Sequence, residues 1–230
     1  MKKTLFTLNI NDYAPEICDI TYPLLKHYAK KIGADFYIIK DRKFPEFAPV
    51  YEKLQIHELG KQMENDWNIF LDSDALVHPE TPDWTNFISK DTVLHNGTDF
   101  ANLRWRYDNY FRRDGRNIGS CNWNTTASDW CLDLWRPLDI PLDEALDNIY
   151  PTVGELNTVV TREHLIDDYT LSRNIARYGL KVKTIKSIQD VLLPNSDFYY
   201  HIYLDTVDEK VNKLKETIET WRLKKYYETA

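Results

Sequence analysis

Trp67-Asn68-Ile69-Phe70-Leu71-Asp72-Ser73-Asp74 is the stretch on which the reading of this chain turns. Trp67 to Leu71 is a short, mainly apolar run of the kind that forms a buried strand, and it leads directly into two carboxylates one residue apart. Upstream, Thr4 to Ile10 reads as another buried strand. Ile17, Ile20, Leu24, Leu25 and Tyr28 then recur at helical spacing in a segment from about 14 to 32, which Gly33 closes. Phe36 to Ile39 is a second strand, and Ile56, Leu59 and Met63 share a face of a helix expected over about 50–65. The order is strand, helix, strand, helix, strand. Such alternation predicts an α/β fold with a mainly parallel, Rossmann-like central sheet flanked by helices, in which ligands gather beyond the carboxyl ends of the strands.

Length and composition agree with this. The 230 residues suffice for one domain, divided here into a half over 1–80, a second half over 81–204 and a C-terminal helix over 205–230. With 43% hydrophobic and 28% charged residues the chain is neither disordered nor fibrous. Its net charge of −7 speaks against nucleic acid or anionic membrane as a partner. The N-terminus begins like a leader with two lysines, but Asn9, Asn11 and Asp12 break its apolar run, so it reads as a strand. No stretch approaches the roughly 18 apolar residues of a transmembrane segment. Three cysteines without CxxC spacing fit a reducing, cytoplasmic setting. Seven Trp and fifteen Tyr against seven Gly are compatible with a carbohydrate site as well as with ordinary core packing.

Beyond residue 75 the pattern loosens. A strand is expected at Phe100 to Trp105, an Arg- and Asn-rich loop follows to Gly119, and a Trp-rich stretch runs from Trp123 to Trp135. Helices are expected around 142–149 and 169–178, then a strand over 182–185. The last 25 residues read as one helix whose stripe of Val207, Val211, Leu214, Ile218 and Trp221 packs against the domain.

At a strand end, Asp72 and Asp74 can reach one hard cation. Mg²⁺ or Mn²⁺ held by one or two carboxylates, with its other positions open to phosphate oxygens and water, is the usual means of binding and activating a diphosphate. The alternative is a solvated turn.

On these residues the chain resembles the GT-A class of nucleotide-sugar glycosyltransferases and, more loosely, the galactosyl- and mannosyltransferases of the yeast and plant type. Three features carry the resemblance: the strand and polar turn Thr7-Leu8-Asn9-Ile10-Asn11-Asp12, the segment Val50-Tyr51-Glu52-Lys53-Leu54-Gln55-Ile56, and Trp67 to Val77. It covers the first 80 residues well. It implies a metal-dependent hexosyltransferase that uses a nucleoside diphosphate sugar, UDP favoured, and a glycan or glycolipid acceptor. It further implies Thr7, Asn9 and Tyr13 around the base, Asp41 near the base or ribose, and Ser73 with Asp72 in the nucleotide-sugar site. Asp74 and, through water, Asp72 would be metal ligands. Lys53 would lie at a phosphate, although a solvated helix lysine reads equally well.

The second half offers further candidates. Asp167 and Asp168 open a helix, where the class often presents an acidic pair to donor sugar and acceptor, and where Asp also serves simply as a cap. His201, in Phe198-Tyr199-Tyr200-His201, matches the C-terminal histidine that completes the metal site in several such enzymes, but the usual following glycine is missing. Trp105 and Trp123 are candidate acceptor platforms or core residues. Arg112, Arg113 and Arg116 read as an exposed loop. Two rivals remain: a phosphatase of the haloacid-dehalogenase type, whose nucleophilic Asp would close the first strand rather than the third, and a non-catalytic carbohydrate-binding module.

Overall fold

The computed structural model describes residues 1–96, 122–149, 152–153, 159–192, 198–202 and 206–227, with the backbone alone at 152–153 and 159–160. The expected strand at Phe100 to Trp105, Trp105 itself and the three loop arginines lie outside the described residues.

The strands are β1 (Lys3–Leu8), β2 (Ala34–Ile39), β3 (Trp67–Leu71), β4 (Ala75–Val77), β5 (Thr92–His95), β6 (Trp123–Ala127), β7 (Thr152–Val153), β8 (Val159–Val160), β9 (Lys181–Thr184) and β10 (Tyr199–His201). The helices are α1 (Pro15–Lys31), α2 (Ile56–Gln62), α3 (Ser128–Cys131), α4 (Leu142–Asp147), α5 (Ile166–Arg177), α6 (Ile185–Leu192) and α7 (Val207–Thr220). Six strands form the main sheet in the order β2-β1-β3-β6-β5-β9. β1 pairs in parallel with β2 and β3, and β5 in parallel with β9, whereas β6 is antiparallel to both β3 and β5. Five strands therefore share one direction. β6 runs against them, which the Trp-rich sequence did not reveal.

Burial explains the pattern of residues. Every residue of β1, β3 and β6 is buried, as a sheet covered on both faces requires, while the edge strands β2 and β9 alternate. Consecutive residues serve opposite faces: Leu5, Ile69 and Leu94 join the cluster around Tyr28, Trp84 and Trp123, whereas Phe6, Phe70 and Val93 join the one around Tyr51, Trp135 and Ile166.

α1 ends as expected, with Gly33 at φ +68 just past its last turn. The helix expected over 50–65 begins instead as a 3-10 segment, Pro49–Gln55, before α2. Three residues per turn places Gln55 over Glu52, and the Gln55 amide donates to Glu52 Oε2 at 2.8 Å. In α2, Gly60 allows close approach to β3, since a Cβ there would lie 2.6 Å from Asn68 Oδ1.

α5 starts three residues earlier than expected, and α6 follows β9 directly without a signal recognised in the sequence. The C-terminal segment is not one helix: α7 stops at Thr220, Arg222 turns left-handed at φ 57, and a 3-10 turn follows at Lys224–Tyr226. Thr206 caps α7, accepting from the Glu209 N–H at 3.2 Å. Leu214 and Ile218 pack with Ile17 and Leu24 of α1, whereas Val207 at the end of the stripe is 41% exposed. No described helix is long and apolar enough to cross a membrane.

Candidate metal and nucleotide site

The site is built where β3 ends. Asp72 N–H donates to the Asn122 carbonyl at 3.0 Å, and Ala75 N–H closes the turn onto the Asp72 carbonyl at 3.2 Å. The Ser73 hydroxyl donates to the carbonyl of Leu8 on β1, and Thr21 on α1 donates to the Ser73 carbonyl at 2.6 Å. Ser73 is thus a buried anchor for the turn, and its hydroxyl is committed to β1 rather than turned toward a ligand. The chain then enters β4, which pairs antiparallel with β10 so that His201 lies opposite Ala75. This short ladder brings a histidine from residue 201 beside carboxylates at 72 and 74.

His201 Nε2 is 3.2 Å from Asp74 Oδ1 and 3.5 Å from Asp72 Oδ2. One ligand-capable atom from each of the three residues falls within 4.8 Å of the others, the spacing of groups that can share one cation. Burial alone would lower the His201 pKa, but the carboxylates of Asp74 and Asp72 outweigh it and push it up to about 9. Asp74 shows the reciprocal effect: burial raises its pKa, and His201 with Lys210 overcomes this to hold it well below the usual carboxylate range.

Lys210 is the residue that sequence reasoning missed. Its ammonium lies 2.6 Å from Asp74 Oδ2 and donates to the Tyr13 hydroxyl at 3.3 Å. A readable signal existed. Position 210 is three residues after Val207 and four before Leu214, which puts a lysine on the flank of the apolar stripe. Tyr13 reaches this place through a strained turn after β1, in which Asn11, Asp12 and Ala14 all adopt left-handed φ values of 57, 51 and 37.

On the other side of Asp72 stands Lys53, 1% exposed, with Nζ 3.4 Å from Asp72 Oδ1 and 2.7 Å from Asp167 Oδ2. Lys53 is therefore neither a solvated helix lysine nor a free phosphate ligand; it is an internal cation between two carboxylates. Burial would raise the Asp167 pKa, and Lys53 outweighs it to keep the group ionised. The cap of α5 is Leu165, so neither Asp167 nor Asp168 is the capping residue; both sit buried in the first turn, where Asp167 Oδ1 accepts from the Asp168 N–H at 2.8 Å.

The remaining candidates are spread more widely. Thr7 is 0% exposed within β1 and has no surface to offer a base. Asn9 extends the β1–β2 pairing through its N–H, which donates to the Ile39 carbonyl at 2.8 Å, and its Oδ1 has no hydrogen-bond partner among the described residues. Asp41 is exposed just beyond β2. Trp123 is 0% exposed and packs between Tyr28 and Tyr199, which makes it a core residue and not an acceptor platform.

No protein-family model matches the sequence, and no curated protein matches it. Among solved structures, a glycosyltransferase involved in the glycosylation of the major capsid of PBCV-1 matches with a TM-score of 0.52 at 13% identity, over 94% of this chain and 100% of that one. A Drosophila beta-1,4-galactosyltransferase 7 mutant in complex with manganese, UDP-Gal and xylobiose matches with a TM-score of 0.47 at 14% identity, over 89% of this chain and 72% of that one. The first likeness is one of fold: this chain has the GT-A-like fold of a glycosyltransferase, and its Asp72-Ser73-Asp74 turn resembles the Asp-x-Asp element of that class.

Proposed function

We propose that the chain is a metal-dependent glycosyltransferase that moves a hexose from a nucleoside diphosphate sugar, with a UDP-sugar favoured, to a glycan or glycolipid acceptor. The observation that carries this reading is the convergence of Asp72, Asp74 and His201 at the end of β3 in a fold shared with a glycosyltransferase. Two carboxylates and one imidazole are a hard, mixed oxygen and nitrogen set, suited to Mn²⁺ and acceptable to Mg²⁺. A divalent cation bound there would offset the negative charge that develops on the leaving diphosphate.

The chain's own groups have defined tasks in this reading. Asp72 and Asp74 supply oxygens and His201 supplies Nε2 once its proton has left. Lys53 holds Asp72 in place from behind. Asn9, whose side-chain oxygen has no hydrogen-bond partner among the described residues, and Tyr13 are the residues suited to meet the base or ribose, and exposed Asp41 extends that edge. Asp168 is the candidate to accept the proton of the acceptor hydroxyl, or to support positive charge on the donor sugar. A cytoplasmic location belongs to the same proposal, in keeping with the free, buried thiols of Cys18 and Cys131.

The test is a thermal-shift and turnover assay with nucleotide sugars, with and without Mn²⁺. A shift that requires nucleotide and Mn²⁺ together, with slow release of sugar to water, is expected. Phosphate release from simple esters would instead mark a phosphatase, and a shift with free sugars but no turnover would mark a binding module.

A further inference from the structure

The proposed metal site already holds a cation of its own. Asp74 has two carboxylate oxygens and both are engaged: Oδ1 faces His201 Nε2 at 3.2 Å, and Oδ2 faces Lys210 Nζ at 2.6 Å. Lys210 is set in place by its helix rather than by chance of a long side chain. α7 is capped by Thr206, its Leu214 and Ile218 are buried against α1, and the Lys210 side chain is 16% exposed with a second partner in the Tyr13 hydroxyl. The ammonium is therefore directed at Asp74 from a packed element.

We propose that Lys210 is an internal competitor of the divalent cation for Asp74, so that the docking of α7 sets how tightly the site holds metal. This rests on the metal reading above. A cation that takes Oδ2 must displace the ammonium, and one held on Oδ1 experiences its repulsion from a few ångströms away in a partly buried setting. Either way the lysine weakens metal binding in the absence of other ligands. Its four-carbon stem allows the ammonium to swing outward while α7 stays docked, so competition needs no unfolding of the helix.

The experiment measures Mn²⁺ affinity of the full chain without nucleotide, from the electron paramagnetic resonance signal of free Mn²⁺, for the wild type, Lys210→Met and Lys210→Arg. Methionine keeps much of the volume and removes the charge; arginine keeps the charge. Lys210→Met is expected to bind Mn²⁺ roughly five- to tenfold more tightly, the scale of one partly buried ion pair, while Lys210→Arg stays within about twofold of the wild type. Equal or weaker binding by Lys210→Met, with circular dichroism and thermal unfolding showing it folded, would overturn the competition. If Lys210→Met does not fold, Lys210→Gln is measured in its place against the same criterion. Absence of any Mn²⁺ uptake by the wild type and by Lys210→Met alike would overturn the metal reading itself, and the competition with it.

Discussion

Asp72 looks two ways, and its two sides differ in kind. Toward the interior its Oδ1 meets Lys53, which is 1% exposed and bound to a second buried carboxylate, Asp167. On the other side its Oδ2 meets His201, in a group with Asp74, Lys210 and Tyr13 that retains some access to solvent. Charge alone does not distinguish the two sides; burial does. A closed ion pair derives its importance from the cost of breaking it, because without Lys53 the carboxylate of Asp167 is left as a buried charge that has lost its cation. An accessible cluster whose cations can leave is instead able to exchange them for a ligand.

The comparison can be tested by substitution, and the largest effect is expected in turnover. Asp167 and Asp168 are neighbours in α5, yet only Asp167 belongs to the closed pair. With a working donor and acceptor, Asp168→Asn should lower turnover by roughly 10² to 10⁴ fold with nucleotide affinity almost unchanged. Near wild-type turnover would remove Asp168 from the chemistry. Next comes the closed side. Lys53→Met should destabilise the fold by about 3–5 kcal/mol in denaturant melts, and adding Asp167→Leu should restore much of the loss, since a buried pair replaced by apolar groups is often tolerated. A single substitution costing under about 1 kcal/mol would show that the pair is not closed. On the open side, saturating Mn²⁺ with UDP at about 100 times the dissociation constant should stabilise the wild type by about 2.7 kcal/mol, and Asp74→Asn should lose most of this.

The smallest effect comes from a second buried histidine. His95, on β5, has its pKa lowered to about 4 by burial, only partly countered by the Asn96 backbone, whereas carboxylates push buried His201 in the opposite direction. The folded value lies below the unfolded one, so the unfolded chain takes up a proton first as pH falls. The stabilising effect of neutral His95 is thus present above about 6.5 and declines between about 6.5 and 4, by up to about 1.4 kcal/mol per pH unit. His95→Gln should flatten that part of the profile. An unchanged slope would mean that burial alone does not depress this histidine.

The sequence was most informative where one periodicity ruled. Trp67–Leu71 stands as read, and α1 and β2 differ from expectation by one or two residues, because their apolar spacing is set by burial in a covered sheet. β6 was hidden because Trp123, Asn124, Thr125 and Thr126 are all buried, which leaves no alternation between apolar and polar residues to mark a strand. The same limit applies to the site. Asp72 and Asp74 were visible as a strand-end pair. The roles of Lys53 and Lys210 were not, since they depend on contacts across 114 and 136 positions of chain, to Asp167 and Asp74. Trp123 stood open between a sugar platform and a core residue because aromatic composition does not distinguish the two, and its burial decides for the core.

In the proposed function Asp72, Asp74 and His201 form one metal site. Its most direct test is anomalous diffraction from crystals grown with Mn²⁺ and UDP, collected on both sides of the manganese absorption edge. A single strong difference peak is expected within bonding reach of an Asp74 oxygen and His201 Nε2, with Lys210 Nζ moved off Asp74 Oδ2. A manganese peak elsewhere, with the Asp74–Lys210 pair intact and UDP bound, would contradict it.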